Sequence, residues 1–139
     1  MSLVNHVGLT VRDLDASVAF YTEVVGLEVL TRTRSGGDWF DTLTHNEGAV
    51  IDVVMLRSPD VVVQLVQYAR GGDAPVPTGH NRAGNVHLCI TVDDVEAKRS
   101  AVVAAGLDAT PIVALPRPGM RSFYAADPDG VPVEFLQER

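Results

Sequence analysis

The chain has 139 residues, of which 46% are hydrophobic, and it carries a formal charge of −7 at pH 7. An acidic chain is a poor partner for nucleic acid or an anionic membrane surface, and no apolar segment is long enough to span a bilayer. The single cysteine, Cys89, excludes an internal disulfide and fits a reducing cytoplasm, and the N-terminus has no signal-peptide pattern. We therefore expect a cytoplasmic protein large enough to bury one core.

The first predicted strand returns later in the sequence. Residues 4–14 (VNHVGLTVRDL) align with residues 85–95 (NVHLCITVDDV), so that His6 falls on His87. In each copy apolar and polar residues alternate strictly, which predicts a strand with one apolar face. An internal repeat of this kind indicates a duplicated unit.

A helix is predicted directly after each of these strands. Between residues 14 and 25 apolar residues recur at helical spacing. Asp13 is expected to cap the first helix and Asp93 the second. Gly26 and Gly106 stand where a residue in the left-handed conformation would end each helix.

Three more strands are predicted in each half, so that both halves take the order strand, helix, strand, strand, strand. The segment 70–84 is rich in Gly and Pro and is predicted to link two modules, 3–69 and 85–138, of a single domain that spans 1–139. The segment 35–48 is long for a hairpin connection, which is typical of a lid or a binding loop. The strands are expected at 28–34, 49–57 and 61–69 in the first half and at 110–115, 121–126 and 131–137 in the second, with turns at 58–60 and 127–130.

The last strand of each half carries one polar residue among apolar ones, Gln64 in VVVQLVQ and Glu134 in VPVEFLQ. With His6 and His87 they occupy equivalent places in the two halves, and alternation puts all four on the face opposite the helices. Such groups on an interior face are costly unless something satisfies them, and a divalent cation does so directly. The set suits Zn, Fe, Co, Ni or Mn, with positions left open as in a catalytic site.

These features resemble the vicinal oxygen chelate superfamily, which includes glyoxalase I, methylmalonyl-CoA epimerase, extradiol dioxygenases, and the fosfomycin and bleomycin resistance proteins. The resemblance covers essentially the whole chain, and its most specific parts are HVGLTVRDLDASVAFYTEVVGLEVL, VHLCITVDDVEA and FYAADPDGVPVEFLQ. It implies an α+β fold in which two βαβββ modules form an eight-stranded, cup-shaped mixed sheet around a metal, with the helices outside, commonly as a homodimer. It also implies that the metal positions fall on His6, Gln64, His87 and Glu134, a set similar to that of methylmalonyl-CoA epimerase.

The resemblance further implies a metal-dependent lyase or isomerase that acts on a small-molecule substrate. A cation that chelates two adjacent substrate oxygens stabilises an enediolate as a proton leaves the neighbouring carbon. The base is expected to be Glu134 itself, provided that it leaves the metal, or Glu47 or Asp52 next to the third strand. Lactoylglutathione, methylmalonyl-CoA and cyclic sugar-like ketones are the substrates that such a site would suit.

Two other functions fit the same fold. An Fe(II) extradiol-type dioxygenase would use His6, His87 and Glu134 as a facial triad, with Gln64 taking no part. A drug-sequestering resistance protein would use the groove without metal, and the presence of all four candidate ligands counts against it.

Several other residues carry weaker signals. Trp39 and Phe40, in the long loop, are expected to close over a substrate, to pack on another subunit or to anchor the loop locally. Arg121 is a candidate for holding a substrate carboxylate. His45 and His80 lie in loops without repeat partners and are expected at the surface.

Overall fold

The computed structural model describes all 139 residues, Met1 to Arg139. They form two compact units, Met1–Val76 and Pro77–Arg139. The boundary between the units lies inside 70–84, the segment that the sequence predicts as a linker. Helices with the length and hydropathy that a bilayer crossing needs are absent from the structure.

The first unit contains a four-stranded mixed sheet with strand order β1-β4-β3-β2. β1 runs parallel to β4, and the other neighbours are antiparallel. The first helix continues directly into a π-helical segment, Phe20–Val25, which ends at Gly26 with φ 101°. The elements are β1 (Val7–Thr10), α1 (Leu14–Ala19), β2 (Glu28–Gly36), α2 (Asp38–Thr44), β3 (Val50–Arg57) and β4 (Val62–Arg70).

The second unit repeats this layout with a four-stranded sheet in the order β5-β8-β7-β6. β5 runs parallel to β8, and the other neighbours are antiparallel. As predicted, Gly106 adopts a left-handed conformation after the helix, with φ 79°. The elements are β5 (Leu88–Thr91), α3 (Val95–Ala104), β6 (Val113–Ala114), β7 (Arg121–Ala126) and β8 (Pro132–Gln137).

The two units share the same strand register where the first strand meets the last. Gly8 pairs with Gln64 in the first unit, and Cys89 pairs with Glu134 in the second. In the aligned repeat, Gly8 corresponds to Cys89. The α+β class, the two βαβββ modules and the internal duplication are therefore confirmed.

One face of each sheet is apolar and is covered by a helix. Val63 and Leu65 on β4 are buried under α1, and Val133 and Phe135 on β8 are buried under α3. Burial of a side chain of this size contributes about 1.5–3 kcal/mol. Since side chains alternate along a strand, the residues between these positions face away from the helices.

The segment 35–48 is not the continuous loop that the sequence predicts. The second strand extends through Gly36, and a helix follows at Asp38–Thr44. A seven-residue helix is marginal on propensity alone, so its stability depends on tertiary packing, which Phe40 supplies. Phe40 belongs to a cluster on the sheet face opposite α1, formed with Ala49, Ile51 and Val53 and bordered by Met55, Val66 and Tyr68.

The sixth strand is shorter than predicted. The sequence places it at 110–115, but only Val113–Ala114 pairs with β7. Pro111 and Pro116 flank the pairing residues, and proline has no N–H to donate to a ladder. Before this strand, the Thr110 amide donates a hydrogen bond to the Tyr124 carbonyl on β7, at 2.9 Å.

The turn before β8 forms where the sequence predicts it, at 127–130. The buried Asp127 carboxylate accepts hydrogen bonds from the amides of Asp129 at 2.8 Å and Val131 at 2.9 Å. Gly130 adopts φ 82°, a left-handed conformation that glycine tolerates without strain. This turn sets the register between β7 and β8 and thereby the residue that faces Glu134.

The N-terminal caps of α1 and α3 are also duplicated. Asp13 accepts from the Ala16 amide at 3.0 Å, as predicted. The expectation that Asp93 caps the second helix is wrong, because Asp94 accepts from the Ala97 amide at 2.8 Å. Asp94 has the extended conformation of an N-cap, and it is the residue that the repeat aligns with Asp13.

In each module, a glutamine on the last strand also accepts a hydrogen bond from a backbone amide at the start of the helix. Gln67 Oε1 accepts from the Leu14 amide at 2.7 Å, and Gln137 Oε1 accepts from the Val95 amide at 2.9 Å. Helix N-termini leave backbone N–H groups without intrahelical partners, and these bonds satisfy one in each module. They also tie each helix to the strand that carries Gln64 or Glu134.

The adjacent aspartates before α3 allow a matched test of the cap. Asp94→Ala is expected to lower the free energy of unfolding by about 1 kcal/mol, because it removes the acceptor for the Ala97 amide. Asp93→Ala removes the carboxylate of the preceding residue and is expected to lower the free energy of unfolding by less than about 0.5 kcal/mol. Urea unfolding followed by circular dichroism measures both, and an equal or larger loss in Asp93→Ala would contradict the assignment.

Candidate functional site

In the second unit, the structure brings His87 and Glu134 together. His87 lies just before β5, and Glu134 lies on the neighbouring strand β8. His87 Nε2 is 3.6 Å from Glu134 Oε2, and the two side chains are 47% and 15% exposed. An imidazole nitrogen and a carboxylate oxygen therefore meet on the face away from α3, within reach of solvent.

Tyr124 holds the Glu134 carboxylate from the other neighbouring strand. The two residues pair directly across β7 and β8, and the Tyr124 hydroxyl donates to Glu134 Oε2 at 3.1 Å. Burial, together with this hydrogen bond to Glu134, raises the pKa of Tyr124 to about 12. The phenol thus remains a protonated donor at neutral pH.

The ring of Tyr124 also contacts two imidazoles edge-on. Its centroid is 5.6 Å from that of His87, with an interplanar angle of 70°, and 4.6 Å from that of His80, at 89°. His80 is exposed, as predicted, but it belongs to this cluster through the ring contact. Tyr124 therefore contacts three potential site groups, His80, His87 and Glu134.

In the first unit, Gln64 belongs to the corresponding face. Gln64 is partly buried, and its Oε1 lies beside Gly8, since a Cβ built at Gly8 would be 3.4 Å from it. His6 is exposed just before β1, and its Nδ1 lies 2.7 Å from Asn5 Oδ1. The structure therefore places Gln64 on the side of the sheet that α1 does not cover, and the hydrogen bond of His6 is to Asn5 rather than to Gln64.

The spacing of His87 and Glu134 fits a divalent cation. Two ligands about 2.1 Å from an ion at a tetrahedral angle lie about 3.4 Å apart, close to the 3.6 Å between His87 and Glu134. The structure contains no group of three or more His, Cys, Asp and Glu side chains that could hold a metal ion. Each unit carries one candidate imidazole and one candidate amide or carboxylate oxygen.

The face around Gln64 is more apolar than the face around Glu134. Met55 pairs with Gln64 on β3, in the place that Tyr124 holds beside Glu134. Next to Met55, the cluster anchored by Phe40 covers the sheet, while Trp39 is 56% exposed. Of the two adjacent aromatic residues, Phe40 is therefore the local anchor and Trp39 is the one that solvent reaches.

The remaining candidate bases are placed less favourably than Glu134. Asp52 pairs with Gln67, which caps α1, so Asp52 belongs to the helix-covered face. Arg34 binds the Asp52 carboxylate through two bonds of 2.7 Å and holds its pKa below the usual range. Glu47 is exposed in the turn after α2, beyond the end of β4, and the six residue steps along β4 from Gln64 to Arg70 span about 20 Å.

Two further polar side chains are unsuited to catalysis, Cys89 beside Glu134 and Arg121 on the helix-covered face. Burial and the nearby Glu134 raise the pKa of the Cys89 thiol to about 11, so Cys89 is a neutral thiol at pH 7 and a poor nucleophile. Arg121, a candidate for holding a substrate carboxylate, binds Glu96 instead, with Arg121 Nη2 at 2.7 Å from Glu96 Oε2. The guanidinium of Arg121 is therefore already occupied within its own unit.

Sequence reasoning did not single out Tyr124. Counting outward from the predicted turn at 127–130 sets Tyr124 opposite Val133, one residue short of its observed partner Glu134, so the turn alone does not identify the pair. The same count across the turn at 58–60 sets Met55 opposite Val63, again one residue short of its observed partner Gln64.

Comparison with known proteins finds a matching family, similar sequences and similar structures. Residues 3–135 match the family model described as the Glyoxalase/Bleomycin resistance protein/Dioxygenase superfamily. A 2-epi-5-epi-valiolone epimerase from Actinomyces sp is 33% identical, over 96% of this chain and 78% of that protein. A probable lactoylglutathione lyase from Vibrio parahaemolyticus is 30% identical, over 96% of this chain and 89% of that protein. A glyoxalase family protein from Bacillus cereus shares the fold, with a TM-score of 0.84 at 20% identity over 99% of this chain and 95% of that one.

Proposed function

The chain belongs to the Glyoxalase/Bleomycin resistance protein/Dioxygenase superfamily, and we propose that it is a divalent-metal-dependent lyase or isomerase that removes a proton from a carbon next to a carbonyl group. The proposed ligands are His6, Gln64, His87 and Glu134. The metal is one of Zn, Ni, Co, Mn or Fe, which all accept mixed nitrogen and oxygen ligands. The homodimer that the family resemblance implies stays a prediction.

The pairing of His87 with Glu134 supports this proposal most strongly. The two groups lie 3.6 Å apart, and Tyr124 donates a hydrogen bond to the carboxylate. The first module offers His6 and Gln64 at the equivalent positions of an equivalent register. A duplicated fold that keeps one imidazole and one oxygen donor in each copy is well suited to binding a cation.

When bound, a divalent ion supplies Lewis acidity that draws electron density from two adjacent substrate oxygens and makes the neighbouring C–H more acidic. Glu134 is the only anionic side chain in the proposed set, because Gln64 is neutral where some members of the family carry a glutamate. The site therefore keeps more positive charge than a set with two carboxylates, which favours the negative charge that develops on the substrate.

The proton needs a base within hydrogen-bonding distance, and two glutamates are candidates. Glu134 stands on the candidate site face beside His87, whereas Glu47 lies past the far end of β4 from Gln64. We therefore favour Glu134 as the base and keep Glu47 as the alternative. Asp52 is set aside because Arg34 binds it on the opposite face.

The relatives indicate the class of substrate. One is named a 2-epi-5-epi-valiolone epimerase and others are named lactoylglutathione lyases. Both names describe small molecules with oxygen atoms on adjacent carbons, at which a C–H bond next to a carbonyl can be activated. We propose a substrate of this kind, either a cyclic polyhydroxy ketone or the thiohemiacetal of a 2-oxoaldehyde.

Metal retention tests the proposed ligands directly. Purified wild-type protein loaded with Co²⁺ and then gel-filtered is expected to keep stoichiometric metal, measured by elemental analysis. His87→Ala and Glu134→Ala are expected to lose it with little change in circular dichroism, because each removes a ligand from an exposed or half-buried position. His45→Asn is the matched control, since His45 lies outside the set and asparagine tolerates its left-handed backbone, φ 53°. Unchanged metal content in both alanine variants would refute the ligand set.

Proton exchange tests the proposed reaction. With Ni²⁺, Co²⁺ or Mn²⁺ under anaerobic conditions, the protein is expected to exchange the hydrogen next to the carbonyl for deuterium in D₂O, as followed by NMR. A panel of 2-oxo thiohemiacetals, cyclic polyhydroxy ketones and acyl-CoA thioesters identifies the substrate. Oxygen uptake with catechols that requires Fe²⁺, without any exchange on this panel, would favour the dioxygenase instead.

The same assay separates the two candidate bases. Glu134→Gln is expected to lower the exchange rate by at least about 10²-fold, because general bases contribute that much or more. Glu47→Gln is expected to leave the rate near that of the wild type. The reverse order of effects would assign the base to Glu47.

A further inference from the structure

Tyr124 occupies the centre of the His87–Glu134 half of the candidate site without belonging to the proposed ligand set. We propose that Tyr124 is a positioning residue, which holds Glu134 and His87 in the arrangement that binds the metal. The inference rests on the proposed function, because it concerns the same site. It adds a role that neither the strand repeat nor the relatives assign.

The hydroxyl group accounts for the first part of this role. Glu134 is partly buried on β8, and its carboxylate accepts the Tyr124 hydroxyl at 3.1 Å on the side facing His87. A glutamate side chain has several rotamers, and fixing one of them costs free energy. The hydrogen bond from Tyr124 offsets that cost before a metal arrives, because it favours the rotamer in which Glu134 lies 3.6 Å from His87 Nε2.

The ring accounts for the second part. Its edge-on contact with His87 limits the orientations of an imidazole that is otherwise 47% exposed. The ring also contacts His80, at a centroid distance of 4.6 Å. Tyr124 thus has two imidazole neighbours besides its hydrogen bond to Glu134, and these contacts restrict its own orientation.

The duplication supplies an internal comparison. Met55 takes the place of Tyr124 in the first module, directly opposite Gln64. A thioether cannot donate a hydrogen bond, whereas a phenol can. The donor is therefore found beside the anionic oxygen ligand of the second module and is missing beside the neutral amide of the first.

The test separates the hydroxyl from the ring. Tyr124→Phe removes only the hydroxyl, whereas Tyr124→Met places the residue of the first module in the second and removes both functions. The matched control is Tyr68→Phe, which deletes the same hydroxyl group from a partly buried tyrosine on β4 that packs against Phe40. Titration of each metal-free protein with Co²⁺, followed by the visible absorption of the bound ion, gives the affinity and the spectrum of the ligand field.

Tyr124→Phe is expected to bind Co²⁺ about 10- to 100-fold more weakly than the wild type, the usual loss when a partner of a metal ligand is removed. Its absorption bands are expected to shift, because Glu134 is no longer held in one orientation, and a purely structural defect would not move them. Tyr124→Met is expected to lose at least as much affinity, and Tyr68→Phe to match the wild type in both readouts.

The outcomes distinguish this inference from the proposed function. If the wild type binds no Co²⁺, the proposed ligand set fails, and the role of Tyr124 fails with it. If the wild type binds Co²⁺ and Tyr124→Phe binds equally well with the same spectrum, the ligand set stands and the positioning role is overturned. Equal losses in Tyr124→Phe and Tyr68→Phe would also overturn it, because the effect would then come from removing any tyrosine hydroxyl.

Discussion

The parallel pairing between the first and last strand of each module decides where every candidate ligand lies. Backbone hydrogen bonds set Gly8 opposite Gln64 and Cys89 opposite Glu134, and the histidine two residues before each of these positions directly precedes the same strand. A shift of one residue in either pairing would turn the side chains of one strand in that module to the other face of the sheet. The helices help to prevent that shift, because Gln67 and Gln137 on the last strands bind the amides that start α1 and α3.

The two modules share this frame but present different chemistry. The first offers a neutral amide next to a thioether and an apolar cluster that α2 helps to cover. The second offers a carboxylate with a phenol, a thiol and two imidazoles around it. The duplicated fold thus has two equivalent positions, Gln64 and Glu134. Only Glu134 carries a negative charge, and only it has a hydrogen-bond donor, Tyr124, on the neighbouring strand.

Sequence patterns predicted the parts of the fold that depend on local rules. Strict alternation and the repeat gave the strands, the faces of Gln64 and Glu134, and the equivalence of His6 with His87. The patterns failed where tertiary contacts determine the local structure. The helix α2 exists because Phe40 packs on the sheet, and the choice of Asp94 over Asp93 as N-cap depends on the backbone angle at which the chain leaves β5. Tyr124 was missed because its importance comes from a cross-strand partner, which a linear motif does not display.

The central claim is that two imidazoles, one amide and one carboxylate bind a single divalent ion. X-ray absorption spectroscopy of the Co²⁺-loaded protein tests this most directly, since imidazole ligands give a distinct multiple-scattering signal and sulfur scatters at longer distance than nitrogen or oxygen. The account predicts two imidazoles per ion, with nitrogen and oxygen ligands only. A spectrum with no imidazole, with one imidazole per ion, or with a sulfur ligand from Cys89 would contradict it.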